Sequence, residues 1–67
     1  MYEIKFWPVE DRYLIVKTVR RHGGIDLFVW SNEGFVPLRD PLDKRAKRYA
    51  TETAANADFD EITRLSH

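Results

Sequence analysis

Residues 13–30 read YLIVKTVRRHGGIDLFVW, and this stretch decides the fold. Residues 13–20 are rich in β-branched and apolar side chains, a composition that is typical of β-strands. Residues 25–30 alternate between two sides and predict a second strand of the same sheet. Between the two runs lie His22, Gly23 and Gly24, which we expect to supply the positive φ of a tight hairpin. Gly24 should resist replacement if its own φ is positive.

One further strand is predicted on each side of this hairpin. Residues 2–7 alternate in polarity, and Pro8 ends the run because proline cannot donate a ladder hydrogen bond. Residues 31–34 are rich in turn-forming types and lead into a short run at 35–38. Pro37 places that run at an edge of the sheet. The sequence therefore predicts an antiparallel β-meander of three to four strands.

A helix is predicted over residues 41–57. Asp40 is a suitable N-cap, and Pro41 fits the first helical position, where a backbone N–H has no partner within the helix. Mostly apolar residues then recur on one side with helical period: Leu42, Ala46, Tyr49, Ala50, Thr53 and Ala57. The predicted fold class is α+β, a single domain over residues 1–67 in which one main helix packs on one face of the meander.

Residues 46–55, AKRYATETAA, resemble the Ala-x-x-aromatic-x-Thr-x-x-x-Ala pattern of small phage and prophage accessory proteins, a group that includes some anti-CRISPR inhibitors. In that group the aromatic residue often lies on a short strand, and the threonine caps the helix that follows. The resemblance implies that the helix is broken at residues 49–51 and that a strand begins at Ile62. The residues alone leave two alternatives for 62–65, a strand or a terminal helical turn.

A protein-binding surface is predicted because one helix covers only one face of a sheet, which leaves the other face to a partner or a second copy. Tryptophan and arginine are enriched in interface hot spots. The predicted partner-binding residues are Trp7, Phe28, Trp30, Arg12 and Arg20. We expect a small protein-binding module that forms homo-oligomers, of the phage or mobile-element type that inhibits or redirects a host protein.

Nucleic-acid binding is the alternative function. Basic residues form one group at the hairpin end and one on the predicted helix: Arg20, Arg21, Lys44, Arg45, Lys47 and Arg48. Together with the aromatic residues they resemble the cationic groove and stacking platform of single-strand binders. The eleven basic and eleven acidic side chains balance, so no overall positive field attracts phosphate. Protein is therefore the preferred partner.

Catalytic, metal and cofactor sites are not predicted. His22 in the glycine turn and His67 at the last position lack neighbours that would orient a general base. We also expect the chain to be too short to build a substrate pocket of about 300 Å³ or more. Residues 58–61 lack the spacing of a calcium loop. Without a leader or a membrane-length apolar run, the sequence favours a cytoplasmic protein, in the host cytoplasm if a phage encodes it.

Overall fold

The computed structural model describes residues 1–65 and has an α+β fold with four strands and one helix. One antiparallel sheet contains the strands in sequence order: β1 (Tyr2–Trp7), β2 (Arg12–Arg21), β3 (Gly24–Ser31) and β4 (Gly34–Pro37). Helix α1 (Glu52–Leu65) follows after a long connection, residues 38–51. The predicted fold class and the four strands are confirmed, and Pro37 lies on an edge strand as expected.

The hairpin between β2 and β3 turns over His22 and Gly23, since Arg21 pairs with Gly24. The positive φ, 90°, belongs to Gly23, whereas Gly24 is the first ladder residue of β3 and has no left-handed φ. Glycine matters where φ is positive, because a Cβ atom is strained there. The glycine turn predicted at residues 22–24 is therefore confirmed, but Gly24 does not have the positive φ that would make it resist replacement.

The strand register divides the side chains of the sheet between two faces. Ile4 lies opposite Ile15 on the side against which α1 packs, and we call this side the helix face. Val16 lies opposite Val29 on the other side, which we call the loop face. The alternation predicted for residues 2–7 and 25–30 is confirmed by this register.

The loop face is covered by the connection between β4 and α1. Leu42 and Ala46 are 8% and 5% exposed. They form a buried core with four residues of the sheet: Leu14, Val16, Val29 and Val36. The prediction that the face away from the helix is open is therefore wrong, because a non-helical segment packs on it.

Strands β2 and β3 pair with each other near their hairpin and separate toward their other ends. Residues 46–49 lie in the gap between the separated ends and form bridges to both strands. The backbone N–H of Tyr13 donates to the carbonyl of Tyr49 at 2.8 Å, and the N–H of Tyr49 donates back at 2.9 Å. On the β3 side, the N–H of Lys47 donates to the carbonyl of Trp30 at 2.9 Å. The segment satisfies buried backbone groups as a short strand would and carries the chain to the helix face.

Helix α1 begins at Glu52 and ends at Leu65, so the prediction of a helix over residues 41–57 is wrong in both bounds. Asp40 lies outside any helix. The apolar spacing of residues 42–46 fits a helix, but tertiary packing on the loop face uses it instead. Ile62 lies within α1, so the implied strand at that position is also wrong, and the helical alternative is confirmed.

Thr51 is the N-cap of α1. Its Oγ1 accepts a hydrogen bond from the backbone N–H of Ala54 at 3.1 Å, in the position where a cap acts. Tyr49 lies in an isolated β-bridge two residues earlier. The chain therefore passes from a strand-like residue at Tyr49 directly to a helix capped by Thr51.

Thr51→Ala is expected to lower the free energy of unfolding by about 1 kcal/mol, because the N–H of Ala54 loses its acceptor. Thr51→Ser keeps the hydroxyl oxygen and is expected to retain most of the stability. Asp40→Ala should change the free energy by less than about 0.5 kcal/mol, because no helix begins there. Urea denaturation followed by circular dichroism measures all three, and equal losses for Asp40→Ala and Thr51→Ala would contradict the observed helix start.

Candidate functional site

An open cleft lies on the helix face, between α1 and the strands. Its volume is about 390 Å³. It is lined by residues of the sheet, by one residue of the 46–49 segment and by the second half of α1: Tyr2, Trp30, Phe35, Lys47, Asp58, Glu61, Ile62 and Leu65. This volume falls within the range of about 300–1,000 Å³ that is typical of ligand sites. The cleft is more open than enclosed, so the expectation that the chain is too short for a pocket that buries a substrate stays a prediction.

The position of α1 creates the cleft. The helix packs on β1 and β2, which leaves the β3–β4 half of the helix face less covered. Ala55 is fully buried, and because its side chain is a single methyl group the helix approaches the sheet closely there. Further along the helix Ile62 is half-buried and Leu65 is 77% exposed. The apolar stripe of α1 therefore ends beside the cleft and not in the core.

Three aromatic rings form the sheet side of the cleft. Tyr2 and Phe35 come from the two edge strands, yet their ring centroids are 5.7 Å apart, which shows that the sheet curls around this face. Trp30 meets Phe35 edge-on at 5.0 Å. The Lys17 Nζ atom lies 5.4 Å from the centroid of Phe35, within cation–π range. The rings therefore hold one another in place and already attract an ammonium group.

Charged side chains stand at the rim of the cleft. The Nζ atom of Lys47 is 3.7 Å from Oδ2 of Asp58, and this oxygen also accepts a hydrogen bond from the Tyr49 hydroxyl at 2.6 Å. The carboxylate of Glu61 has no ion pair or side-chain hydrogen bond within residues 1–65. Glu61 is therefore the rim carboxylate whose charge is left to interact with a bound group.

The Tyr49 hydroxyl has a pKa raised well above its ordinary value. Partial burial has the largest effect, followed by the hydrogen bond to Asp58 and the negative charge of that carboxylate. All three causes favour the neutral phenol. The contact joins the strand-like segment to α1 beside the cleft, so it helps to fix the position of the helix.

Tyr49 should make the protein less stable in alkali. Its folded-state pKa is raised, so its contribution to stability is complete below the unfolded-state pKa of about 10 and is lost as the pH rises toward the folded value. We expect Tyr49→Phe to be less stable at neutral pH by about 1 kcal/mol, because the hydrogen bond to Asp58 is lost. Above about pH 10, the additional loss of stability should be smaller in Tyr49→Phe than in the wild type.

Urea denaturation at a series of pH values checks this expectation. Tyr13→Phe is the matched control, because the Tyr13 hydroxyl has no hydrogen bond within the described residues 1–65. The control should follow the wild-type pH profile at alkaline pH. The same alkaline loss in Tyr49→Phe as in the wild type would contradict the assignment.

The predicted partner-binding residues do not form one surface. Trp30 lines the cleft, and Phe28 is half-buried on the same face. Trp7 lies on the loop face and packs against the buried core. Arg12 and Arg20 are exposed on the loop face. The expectation that Trp30 shares a face with either arginine is wrong, because the register places them on opposite sides of the sheet.

The basic residues predicted to bind nucleic acid do not lie on a helix, because residues 44–48 are not helical. Four of them form ion pairs: Arg21 with Asp26, Arg45 with Asp43 and Glu33, Lys47 with Asp58, and Arg48 with Glu10. Among residues 1–65, Arg20 and Lys44 form no ion pair. A phosphate group would have to compete with these carboxylates.

Arg45 shows that a basic residue of this group holds a local turn through its carboxylate partner. Its backbone N–H and its Nε donate to Oδ1 of Asp43 at 2.8 and 3.1 Å, and its Nη2 donates to Oδ2 at 3.0 Å. The side-chain hydrogen bonds, followed by the backbone one, lower the pKa of Asp43 to about 2. Asp43, followed by Glu33, raises the pKa of Arg45. This arginine therefore fixes the turn of residues 43–45, which lies between the core residues Leu42 and Ala46.

Sequence reasoning missed most of the cleft. The sequence predicts strands through Tyr2 and Phe35 but no site there, and for residues 62–65 it predicts only a strand or a helical turn. A signal exists, since Asp58, Ile62 and Leu65 recur at offsets of four and three and so lie on one side of a helix. This spacing indicates a shared helix face only when the helix is known to span residues 52–65.

Comparison with known proteins gives no match: no protein-family model, curated protein or solved structure matches the chain. The resemblance of residues 46–55 to phage accessory proteins therefore stays a prediction. Within residues 1–65 there is no group of three or more His, Cys, Asp or Glu side chains that could hold a metal ion. No helix in the described part of the chain is long and apolar enough to cross a membrane.

His22 is exposed in the β2–β3 turn and does not line the cleft. His67 lies outside the described residues. The cleft itself is therefore the feature from which a function is assigned.

Proposed function

We propose that this protein is a small non-enzymatic protein-binding module whose cleft on the helix face takes an exposed segment of a partner protein. The observation that carries the proposal is a preorganised aromatic surface, formed by Trp30 and Phe35, beside the exposed apolar end of α1. Apolar surface with a polar rim is typical of interaction sites, and aromatic residues dominate the energetics of interface cores. Inhibition or redirection of a host protein is the role that the phage-type pattern of residues 46–55 favours.

A lysine or arginine side chain is the partner group that fits best. Its aliphatic stem packs on the ring of Trp30 or Phe35, and its charged end meets the carboxylate of Glu61. Arginine and lysine combine these two kinds of contact in one side chain. The neighbouring Asp58 is already shared by Lys47 and Tyr49, so Glu61 supplies most of the attraction.

Nucleic acid fits the same surface less well. Two carboxylates, Asp58 and Glu61, stand at the rim and repel phosphate. The cation that lines the cleft, Lys47, is paired with Asp58, and the ammonium group of Lys17 already lies over the ring of Phe35. The aromatic rings would allow stacking of bases, but the charges beside them disfavour the backbone that carries the bases.

Selection from a displayed library of random peptides on the immobilised protein tests this function. We expect enriched peptides to carry lysine or arginine next to an apolar residue. Binding of a selected peptide should weaken about 30-fold or more in Trp30→Ala, if Trp30 is a hot spot. Glu61→Gln should weaken the binding of basic peptides more than it weakens the binding of the same peptides with norleucine in place of the basic residue.

Matched variants separate the cleft from the rest of the surface. Leu65→Ala removes an exposed side chain of the cleft, so it tests binding without disturbing the core. Arg20→Ala, on the loop face, should leave affinity unchanged. Absence of any enriched peptide, or loss of binding in Arg20→Ala but not in Trp30→Ala, would contradict the proposal. A mobility shift of mixed DNA and RNA that weakens steeply with salt would favour nucleic acid instead.

A further inference from the structure

Strand β1 is an edge strand whose outer side is open for pairing. It pairs with β2 alone, and the backbones of Met1 and Thr18 exchange hydrogen bonds of 3.0 and 2.8 Å. Hydrogen-bonded pairs alternate along an antiparallel ladder, so the backbone groups of Tyr2, Ile4 and Phe6 point away from β2. Within residues 1–65 no other backbone segment binds these groups.

The opposite edge of the sheet is less suited to pairing. Strand β4 has four residues, and Pro37 among them has no N–H to donate. Strand β1 has six residues and contains no proline. Edge strands of this kind accept another strand unless charge or shape prevents it. The charges on β1 therefore decide which strand it accepts.

The sequence of β1 is complementary to itself in one antiparallel register. With Ile4 opposite Ile4 of a second copy, Tyr2 lies opposite Phe6, and both residues have outward-pointing backbone groups. In the same register Glu3 lies opposite Lys5 on each side of the two-fold axis. Moving the register by two residues in either direction places Glu3 opposite Glu3 or Lys5 opposite Lys5, which like-charge repulsion disfavours. A shift by one residue mismatches the hydrogen-bonding groups.

We propose that β1 pairs with β1 of a second copy in this register, which joins the two sheets into one with two-fold symmetry. The axis is perpendicular to the sheet, so both copies of α1 lie on the same side. Phe6, which is 44% exposed, gains a cross-strand aromatic neighbour in Tyr2 of the second copy. The pairing shares Tyr2 with the cleft, but its hydrogen bonds come from the backbone edge of β1. It therefore differs from association through Phe28 and Trp30, which would use a face of the sheet.

Sedimentation velocity over a range of concentrations tests the pairing with charge variants. Glu3→Lys and Lys5→Glu each create like-charge pairs on both sides of the axis, and each should weaken self-association about tenfold or more. An equimolar mixture of the two variants restores opposite charges in every pair, so it should form mixed dimers about as strongly as the wild type. Arg20→Glu, a charge reversal on β2 away from the edge, should leave association unchanged.

The mixture also shows that the variants are folded, because two unfolded chains would not recover association. A wild-type protein that stays monomeric up to about 0.2 mM, a concentration far above the micromolar dissociation constants of transient pairs, would overturn the proposal. Dimers that neither single variant weakens would also overturn it, since another surface would then join the copies. Peptide binding in the cleft can succeed or fail in either case, so the two proposals are tested separately.

Discussion

Leu42→Ala is expected to lower the free energy of unfolding by about 2–4 kcal/mol, which is the loss typical of a buried leucine. Leu42 is 8% exposed and lies in the core of the loop face, where it packs with residues of three strands. Its removal exposes apolar surface and leaves a cavity that the short connecting segment can fill only in part. A domain of this size has a stability of only several kcal/mol, about 0.05–0.15 kcal/mol per residue, so the loss is severe.

Val9→Ala is the matched control, because Val9 is 81% exposed and lies outside the core. It should change the free energy of unfolding by less than about 0.5 kcal/mol. Urea denaturation followed by circular dichroism measures both variants. If Leu42→Ala were as mild as Val9→Ala, the segment of residues 38–46 would not be part of the core, and the loop face would be open after all.

This segment also shows where sequence reasoning about the fold ends. The strands were predicted because their signals are local: alternation along residues 2–7, β-branched residues along β2, and glycine at the turns. The position of the helix was not. Leu42 and Ala46 are four residues apart, a spacing that suits a helix but also suits two contacts of an irregular segment on the loop face. Only the three-dimensional packing decides between them.

The cleft could not be predicted from the sequence for a related reason. Within one strand, alternation predicts correctly that Val29 and Trp30 lie on different faces. Alternation does not match the faces of different strands, and Trp7 lies on the opposite face from Trp30. Which segment covers each face depends on residues distant in the chain. Tyr2 and Phe35 meet because the sheet curls, and α1 borders them because residues 46–49 pass through the end of the sheet. No local pattern encodes these contacts.

Arg48→Ala is expected to cost about 2 kcal/mol of stability, because hydrogen bonds between charged groups contribute about 1.5–3 kcal/mol when partly shielded from water. The Nε and Nη2 of Arg48 donate to the carboxylate of Glu10, and its Nη1 donates to the carbonyl of Ala46 at 2.9 Å. The side chain therefore connects residues 46–48 to the turn between β1 and β2. Lys44→Ala is the control, since Lys44 is exposed and forms no ion pair within residues 1–65.

These two variants separate two interpretations of residues 44–48. As phosphate contacts, Lys44 and Arg48 would be alike: either loss would lower nucleic-acid affinity and leave stability nearly unchanged. As parts of the fold they differ, because Arg48 has three internal acceptors, Glu10 and the carbonyls of Ala46 and Lys44. Arg48→Lys should keep the charge but lose the forked geometry, so its stability should fall between those of the wild type and Arg48→Ala.

A double-mutant cycle with Glu10→Gln measures the interaction directly in urea denaturation. We expect a coupling free energy of about 1 kcal/mol between Glu10 and Arg48, reduced from that of a fully buried pair because both side chains remain partly exposed. A coupling near zero would mean that the contact contributes nothing to the fold. Arg48 would then exchange Glu10 for an anionic partner at little cost to stability, which would favour the nucleic-acid interpretation.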